Sequence, residues 1–259
     1  MSYPALHYLH TLIPIPMKNI LTLSAIAAMM VFGSGCVVNT SSKDYYIDLP
    51  AEGKAFNVKS FKAMQIDGVF NVILSQGTKE SVVVKGSIPK TLKVAVEEGT
   101  LIITDTSKGI NIGHHSVKTT IYITLVDINS MEISSVGETT CSDTLKLKNL
   151  KVTCEGVGST ILWVNGDTIN VSEDGVGKLT VAGKAVYSEL DDSGVGALDA
   201  KKFNVEVLHA DVSGVGAAKV YASREIYLDV SGVGGVEYNG PAKVMKNETS
   251  GIGKVEHGD

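Results

Sequence analysis

The sequence predicts an all-β chain wound as a parallel β-solenoid with coils of about 20 residues. Three observations carry that prediction. The first is a phrase that returns, Gly-Val-Gly, at Gly156-Val157-Gly158, Gly175-Val176-Gly177, Gly194-Val195-Gly196, Gly214-Val215-Gly216 and Gly232-Val233-Gly234. A last copy, Gly251-Ile252-Gly253, carries Ile, and Ser135-Val136-Gly137 is a degenerate first one. From Gly137 the second glycines advance by 21, 19, 19, 20, 18 and 19 residues. The second observation is period-two alternation on both sides of each phrase. Leu179 and Val181, Leu198 and Ala200, Ala218 and Val220 follow it, while Ala210 and Val212, Leu228 and Val230 precede it. Such alternation gives short strands with one buried face. The third is that no window holds apolar spacing at i, i+3, i+4 for long enough to make a helix. At roughly 3.3 Å per residue, one period traces about 65 Å, enough for one coil, and successive coils pair in parallel at about 4.8 Å. Glycine suits the corner because it tolerates positive φ and leaves room where corners stack.

The elements follow in order. Met1 to Pro16 contains three prolines and has no export character, whereas a chain read from Met17 does. Lys18 supplies a short positive region, and Ile20 to Phe32 is an apolar run too short to span a bilayer. The run closes on Gly33-Ser34-Gly35-Cys36, small residues before a cysteine, which resembles a lipobox in which the Cys36 sulfur is acylated. The other reading is an ordinary signal peptide that contains a cysteine. Residues 1–36 are thus assigned to a signal peptide, with the start at Met17. Residues 37–53 are polar, without a core pattern, and are expected to be a flexible tether. A single β domain, 54–259, follows. Its first half contains Met64-Gln65-Ile66, Phe70 to Leu74, Val82-Val83-Val84, Leu92 to Val96, Leu101 to Thr104 and Ile121 to Leu125, in coils longer and less regular than those downstream.

Phe56-x-Val58-x-x-Phe61, Gly68-Val69-Phe70-Asn71-Val72 leading to Gln76-Gly77, Leu101-Ile102-Ile103 and the Ser-Gly-Val-Gly ladder together resemble the head GIN domain family of autotransporter-type adhesins. The resemblance covers about residues 54 to 257. It implies a right-handed, single-stranded parallel β-helix on an exported protein, frequently a lipoprotein of the bacterial envelope. It brings no catalytic residues with it.

Composition narrows the function further. The net charge is −5 and there is no basic stripe, which argues against nucleic acid as a partner. Arg224 is the single arginine, leaving little equipment for bidentate recognition of carboxylate or phosphate. Cys141 and Cys154 fall in inward columns on two walls flanking one corner. A disulfide in an oxidising envelope and two buried thiols are both compatible with that placement.

Three constellations bear on chemistry. Asp191, Asp211, Asp229 and Glu248 each stand five residues before a second glycine, so they form an outward acidic column. Stacked carboxylates are oxygen ligands for Ca²⁺, and equally are solvated or accept backbone N–H groups. His114-His115 sits in the Gly109–Ser116 loop with no cysteine or acid at ligand spacing, and a solvated loop is the expectation. An enzyme acting on polysaccharide is the third. It would use the acidic column with Arg224 and Lys202 in neighbouring coils, two carboxylates being the minimum for hydrolysis. Against it, the outward Trp163, Tyr187, Tyr221 and Tyr227 are scattered along the sequence, and no long insertion builds a cleft.

The expectation is therefore a non-enzymatic module without cofactor, lipid-anchored at the outer membrane. It would bind a glycan or protein partner in an adhesion-like role; a structural or sensory module facing the periplasm is the alternative. The final stretch, Lys254 to Asp259, reads as a solenoid end guarded by Lys254, Glu256 and Asp259, or as the seat of another subunit in a homo-oligomer.

Overall fold

Alternation of buried and exposed residues runs through most strands of the computed structural model, and the described residues are all-β. The structure describes residues 46–48, 51–105 and 119–258, all within one unit, Ser42–Asp259. The first half contains β1 (Tyr46–Asp48), β2 (Lys54–Phe56), β3 (Ala63–Val69), β4 (Asn71–Gln76), β5 (Ser81–Pro89), β6 (Leu92–Glu97), β7 (Thr100–Asp105), β8 (Thr119–Leu125) and β9 (Ser130–Cys141). The second half contains β10 (Leu145–Lys146), β11 (Asn149–Cys154), β12 (Val157–Glu173), β13 (Val176–Asp192), β14 (Val195–Val212), β15 (Val215–Val230), β16 (Val233–Asn239), β17 (Lys243–Thr249) and β18 (Lys254–His257). Parallel bridges about 19 residues apart build a solenoid of about seven coils.

From β9 onward the coils stack in sequence order. Glycine corners register one on the next, Gly137 on Gly158, then Gly177, Gly196, Gly216 and Gly234. Their φ values lie between 143° and 157°, and a Cβ on Gly196 would fall 1.8 Å from the carbonyl oxygen of Gly177. Backbone of one coil therefore touches backbone of the next at the corner, and only glycine fits. Between the corners the interior is filled by alternate residues, with Phe203, Val205, Leu208, Val220, Ile226 and Leu228 fully buried. The middle residue of each phrase points outward: Val157, Val176, Val195, Val215 and Val233 are each about half exposed and form a continuous rib.

The repeat length is not constant, and bulges absorb the difference. Register shifts fall between Thr180 and Ala182 and between Asp199 and Val207, away from the corner, and a further one falls between Ile226 and Tyr227 where β15 meets β17, on the wall that precedes the corner. From β12 to β15 the corner and the preceding wall therefore stay aligned, and beyond the last shift Asp229 again faces Glu248.

The first half departs from sequential stacking. β3 and β4 lie between β7 and β8 on one side and β9 on the other. The antiparallel strands β5 and β6 run against β8 and β7 and cover the edge those two would expose. Gln76 fixes the junction with β10: its amide donates to the Lys146 carbonyl at 2.9 Å and its carbonyl accepts from the Lys146 N–H at 2.8 Å. One further departure concerns the stretch read as a tether. Within it, Tyr46–Asp48 pairs antiparallel with Ser87–Pro89, where Tyr46 and Ile47 have strong strand preference.

Candidate functional site

The wall that runs up to each corner carries the polar side chains of greatest interest. Asp191 pairs with Asp211, Asp211 with Asp229 and Asp229 with Glu248, so the acidic column is assembled in register across four coils. Its side chains point outward, as alternation required. Like charges at the spacing of a β-ladder, about 4.8 Å, repel. The Asp191 carboxyl is accordingly held above its ordinary range, first by partial burial and then by the charges of Asp211 and Asp174.

Lys246 relieves that repulsion at one end. Its ammonium lies 3.0 Å from Asp229 Oδ2 and 3.1 Å from Glu248 Oε2, bridging two rungs. Asp191 and Asp211 have no cationic partner among the described residues. Arg224 is not in the column: it pairs with Glu206 at 3.2 Å and with Glu225 at 3.7 Å. Lys202 stands in the register of Ala182 and Trp163, on another part of the coil.

Two positions before Asp211 and Asp229, and four before Asp191, rings meet across the wall. His209 and Tyr227 stack with centroids 4.2 Å apart and planes 14° from parallel, and Tyr187 lies against His209 at 5.5 Å. The expectation that the outward aromatics are scattered is thus corrected for Tyr187 and Tyr227, which meet through His209. Tyr187 donates to Glu189 and Tyr227 to Glu225, orienting the hydroxyls along the wall. Rings on one side, carboxylates on the other and Lys246 at the end enclose an open groove of about 330 Å³ across β13, β14, β15 and β17. Trp163 is exposed elsewhere on the coil.

A second polar column faces inward, where the sequence placed Cys154 but Glu173 and Asp192 were not expected. Cys154, Glu173 and Asp192 occupy one register, ahead of Val212 and Val230. Each stands four residues before a second glycine, a position that reads as core, and the signal was present in the same count that located the acidic column. Burial pushes the Glu173 carboxyl up to about 7, against a hydrogen bond from the Gly175 N–H; the charges of Asp192 and Asp174 push the same way as burial. Asp192 is also raised, chiefly by burial.

Cys141 and Cys154 are both free and buried in the structure. Burial pushes their thiols up to about 11 and about 12. Among the described residues no group of three His, Cys, Asp or Glu side chains is placed to hold a metal ion. That leaves the acidic column without the convergent geometry that Ca²⁺ requires, since a single file of carboxylates supplies too few oxygens to one ion. His114, His115, Cys36 and Asp259 lie outside the described residues.

Comparison with known proteins bears on what this wall serves. Residues 60–242 match the model of a family described as "Putative auto-transporter adhesin, head GIN domain". None of the curated proteins matches. A solved structure described as a putative adhesin from Bacteroides fragilis is 26% identical, covers 79% of this chain and 95% of its own, and superposes with a TM-score of 0.69. Two others share the fold with a TM-score of 0.59. One is described as a putative lipid binding protein from Parabacteroides distasonis, 17% identical over 80% of this chain and 96% of its own. The other is described as a putative adhesin from Parabacteroides merdae, 16% identical over 80% and 95%.

Proposed function

The chain belongs to the head GIN domain family, and from that premise we propose that it is a non-enzymatic, adhesion-like binding module of the cell envelope. The observation that carries this reading is the unbroken outer wall of β13, β14 and β15, on which aromatic and carboxylate side chains stand in register across successive coils. No inserted loop interrupts these coils to make an enclosed cleft. A ribbed, regular surface of this kind suits recognition of an extended glycan or protein surface. A lipid on Cys36 holds the module at the outer membrane, with residues 37–45 leading to the first strand. Acyl chains contribute about 0.8 kcal/mol per buried CH₂, so several chains anchor stably.

Protease shaving of intact cells, followed by blotting for the domain beside a periplasmic marker, tests the reading. Loss of the domain signal with the marker intact is the expected result. Full protection would replace surface binding with a structural or sensory role in the periplasm. Cys36→Ser is expected to release the protein from the membrane fraction, and its retention there would remove the lipid anchor.

A further inference from the structure

The groove on the outer wall has two faces of different chemistry, and together they specify a partner. One face is anionic, with Asp191 and Asp211 stacked in register and no cation from the described residues between them. The other is the edge of the His209–Tyr227 stack, which offers polarisable apolar surface. Two coils further along the same column, an ammonium is already seated: Lys246 Nζ contacts Asp229 and Glu248 at 3.0 and 3.1 Å. The spacing of the column therefore matches one ammonium per pair of rungs, each charge-assisted hydrogen bond being of ordinary length. Ca²⁺ takes six to eight oxygens, and among the described residues no group of three acidic, histidine or cysteine side chains converges to hold a metal ion. An ammonium on an alkyl stem satisfies both faces, its charge on the carboxylates and its methylenes along the rings.

We propose that this groove docks a lysine-bearing segment of a partner protein, with one lysine ammonium between Asp191 and Asp211 and its methylene stem against His209 and Tyr227. The choice of a protein as occupant rests on the adhesion-like reading above; charge complementarity and ring placement stand without it. Lys246 occupies the neighbouring pair of rungs and so sets the length of column open to a visitor.

The test is a titration of the isotopically labelled mature protein with the peptide acetyl-Gly-Lys-Gly-Lys-Gly-amide, followed by amide chemical shifts. Shifts confined to Glu189–Asp191, His209–Asp211 and Tyr227–Asp229, weakening as NaCl is raised, are expected. The same peptide with both lysines Nε-acetylated should leave the spectrum unchanged. Asp211→Asn should weaken binding roughly tenfold. Lys246→Met acts in the opposite direction: by opening the Asp229–Glu248 pair it should strengthen binding about threefold, a gain that a merely structural role for these residues would not produce. Equal binding of the acetylated peptide, shifts elsewhere on the solenoid, or an unchanged affinity in Asp211→Asn would overturn the proposal. Tighter binding of spermidine than of the peptide would assign the groove to a small polyamine, and displacement of the peptide by equimolar CaCl₂ would assign it to a metal; either result also overturns it. Surface exposure in the shaving experiment with no peptide bound would remove this proposal and leave the adhesion-like reading in place. Peptide binding by a domain fully protected from protease would do the reverse.

Discussion

Replacing Gly196 by alanine tests the corner directly. Its Cβ would lie 1.8 Å from the Gly177 oxygen and 2.8 Å from the Gly177 carbonyl carbon, where ordinary contact begins near 3.4 Å. Neither atom can swing aside, because both belong to the backbone of the coil below. The coils must part locally by a large fraction of their roughly 4.8 Å spacing. The hydrogen bonds across that gap beside the corner, Val195 N to Gly175 O and Gly194 N to Glu173 O, are both 2.9 Å long and cannot survive the opening intact. Losing two such bonds in a buried ladder costs about 2 to 3 kcal/mol. Forcing alanine to the Gly196 φ of 155° adds about 1 to 2 kcal/mol. A total of about 4 kcal/mol, at roughly 2 to 4 °C per kcal/mol for a domain of this size, lowers the melting temperature by about 8 to 16 °C. Gly99 is the control: its φ is 78° but a Cβ there would meet nothing within 4 Å, so alanine carries only the conformational cost, about 1 kcal/mol. The assay is thermal melting by circular dichroism of the two variants beside the parent. If Gly196→Ala melts no lower than Gly99→Ala, backbone contact between stacked corners is not what requires glycine at position 196.

Three further outcomes follow from the interior. Glu173 is raised from an ordinary 4.5 to about 7, so the folded state holds its proton more tightly than the unfolded chain; its contribution is fully present below pH 4.5 and is lost as pH rises through 7. With half of the residue screened by solvent, the loss is about 1 to 2 kcal/mol, and melts at pH 5 should exceed those at pH 8 unless Glu173→Gln has flattened the dependence; equal slopes in parent and variant would exclude Glu173 as the source. In a Cys36→Ser background, two thiols should react with a disulfide reagent at pH 8 only after unfolding, given thiols raised to about 11 and about 12; no reaction in denaturant would mean that they are bonded to each other. Phe203→Ala empties a fully buried position in β14 and should cost about 3 to 5 kcal/mol, read as a fall in the denaturation midpoint, whereas a loss below 1 kcal/mol would mean the coil collapses around the gap.

The second half of the fold was readable because each coil carries its own ruler. Counting from the second glycine places the residue five before it outward and the residue four before it inward. Both columns hold in the structure: up to β15 the bulges that absorb variable repeat length sit on other walls, and the shift between Ile226 and Tyr227 falls before the acids, leaving Asp229 opposite Glu248. The same count placed the acidic column and, applied one residue further on, would have placed Glu173 and Asp192 inside. The aromatic ladder escaped it because Tyr187 is not in register with His209; its ring reaches diagonally across the wall. In the first half there is no ruler. Strands such as Ala63–Val69 show alternation, which fixes which face is buried but says nothing of which coil lies alongside. The insertion of β3 and β4 between β7–β8 and β9, and the antiparallel cover of β5 and β6, depend on long-range pairing that no local pattern encodes.

The corner and the charged wall are two parts of one arrangement. A column of carboxylates at ladder spacing is unfavourable by itself, and in a pliable sheet it would relax by splaying or by slipping register. In this solenoid the glycine corners, closed to any side chain, set the distance between coils a few residues away, and the acids cannot separate. The repulsion therefore remains, and adds to the burial that raises the Asp191 carboxyl. What removes it is a cation brought to the column, as Lys246 does for Asp229 and Glu248. A wall held rigid in a state that only a cation relieves needs little rearrangement to bind one, so the ordering cost of association is small at the Asp191–Asp211 pair. The same rigidity explains why the opportunity is confined to this wall: the valine rib on the corners carries no charge, and between β13, β14 and β15 the bulges lie on the wall beyond it, so neither offers a fixed row of like charges to a visitor.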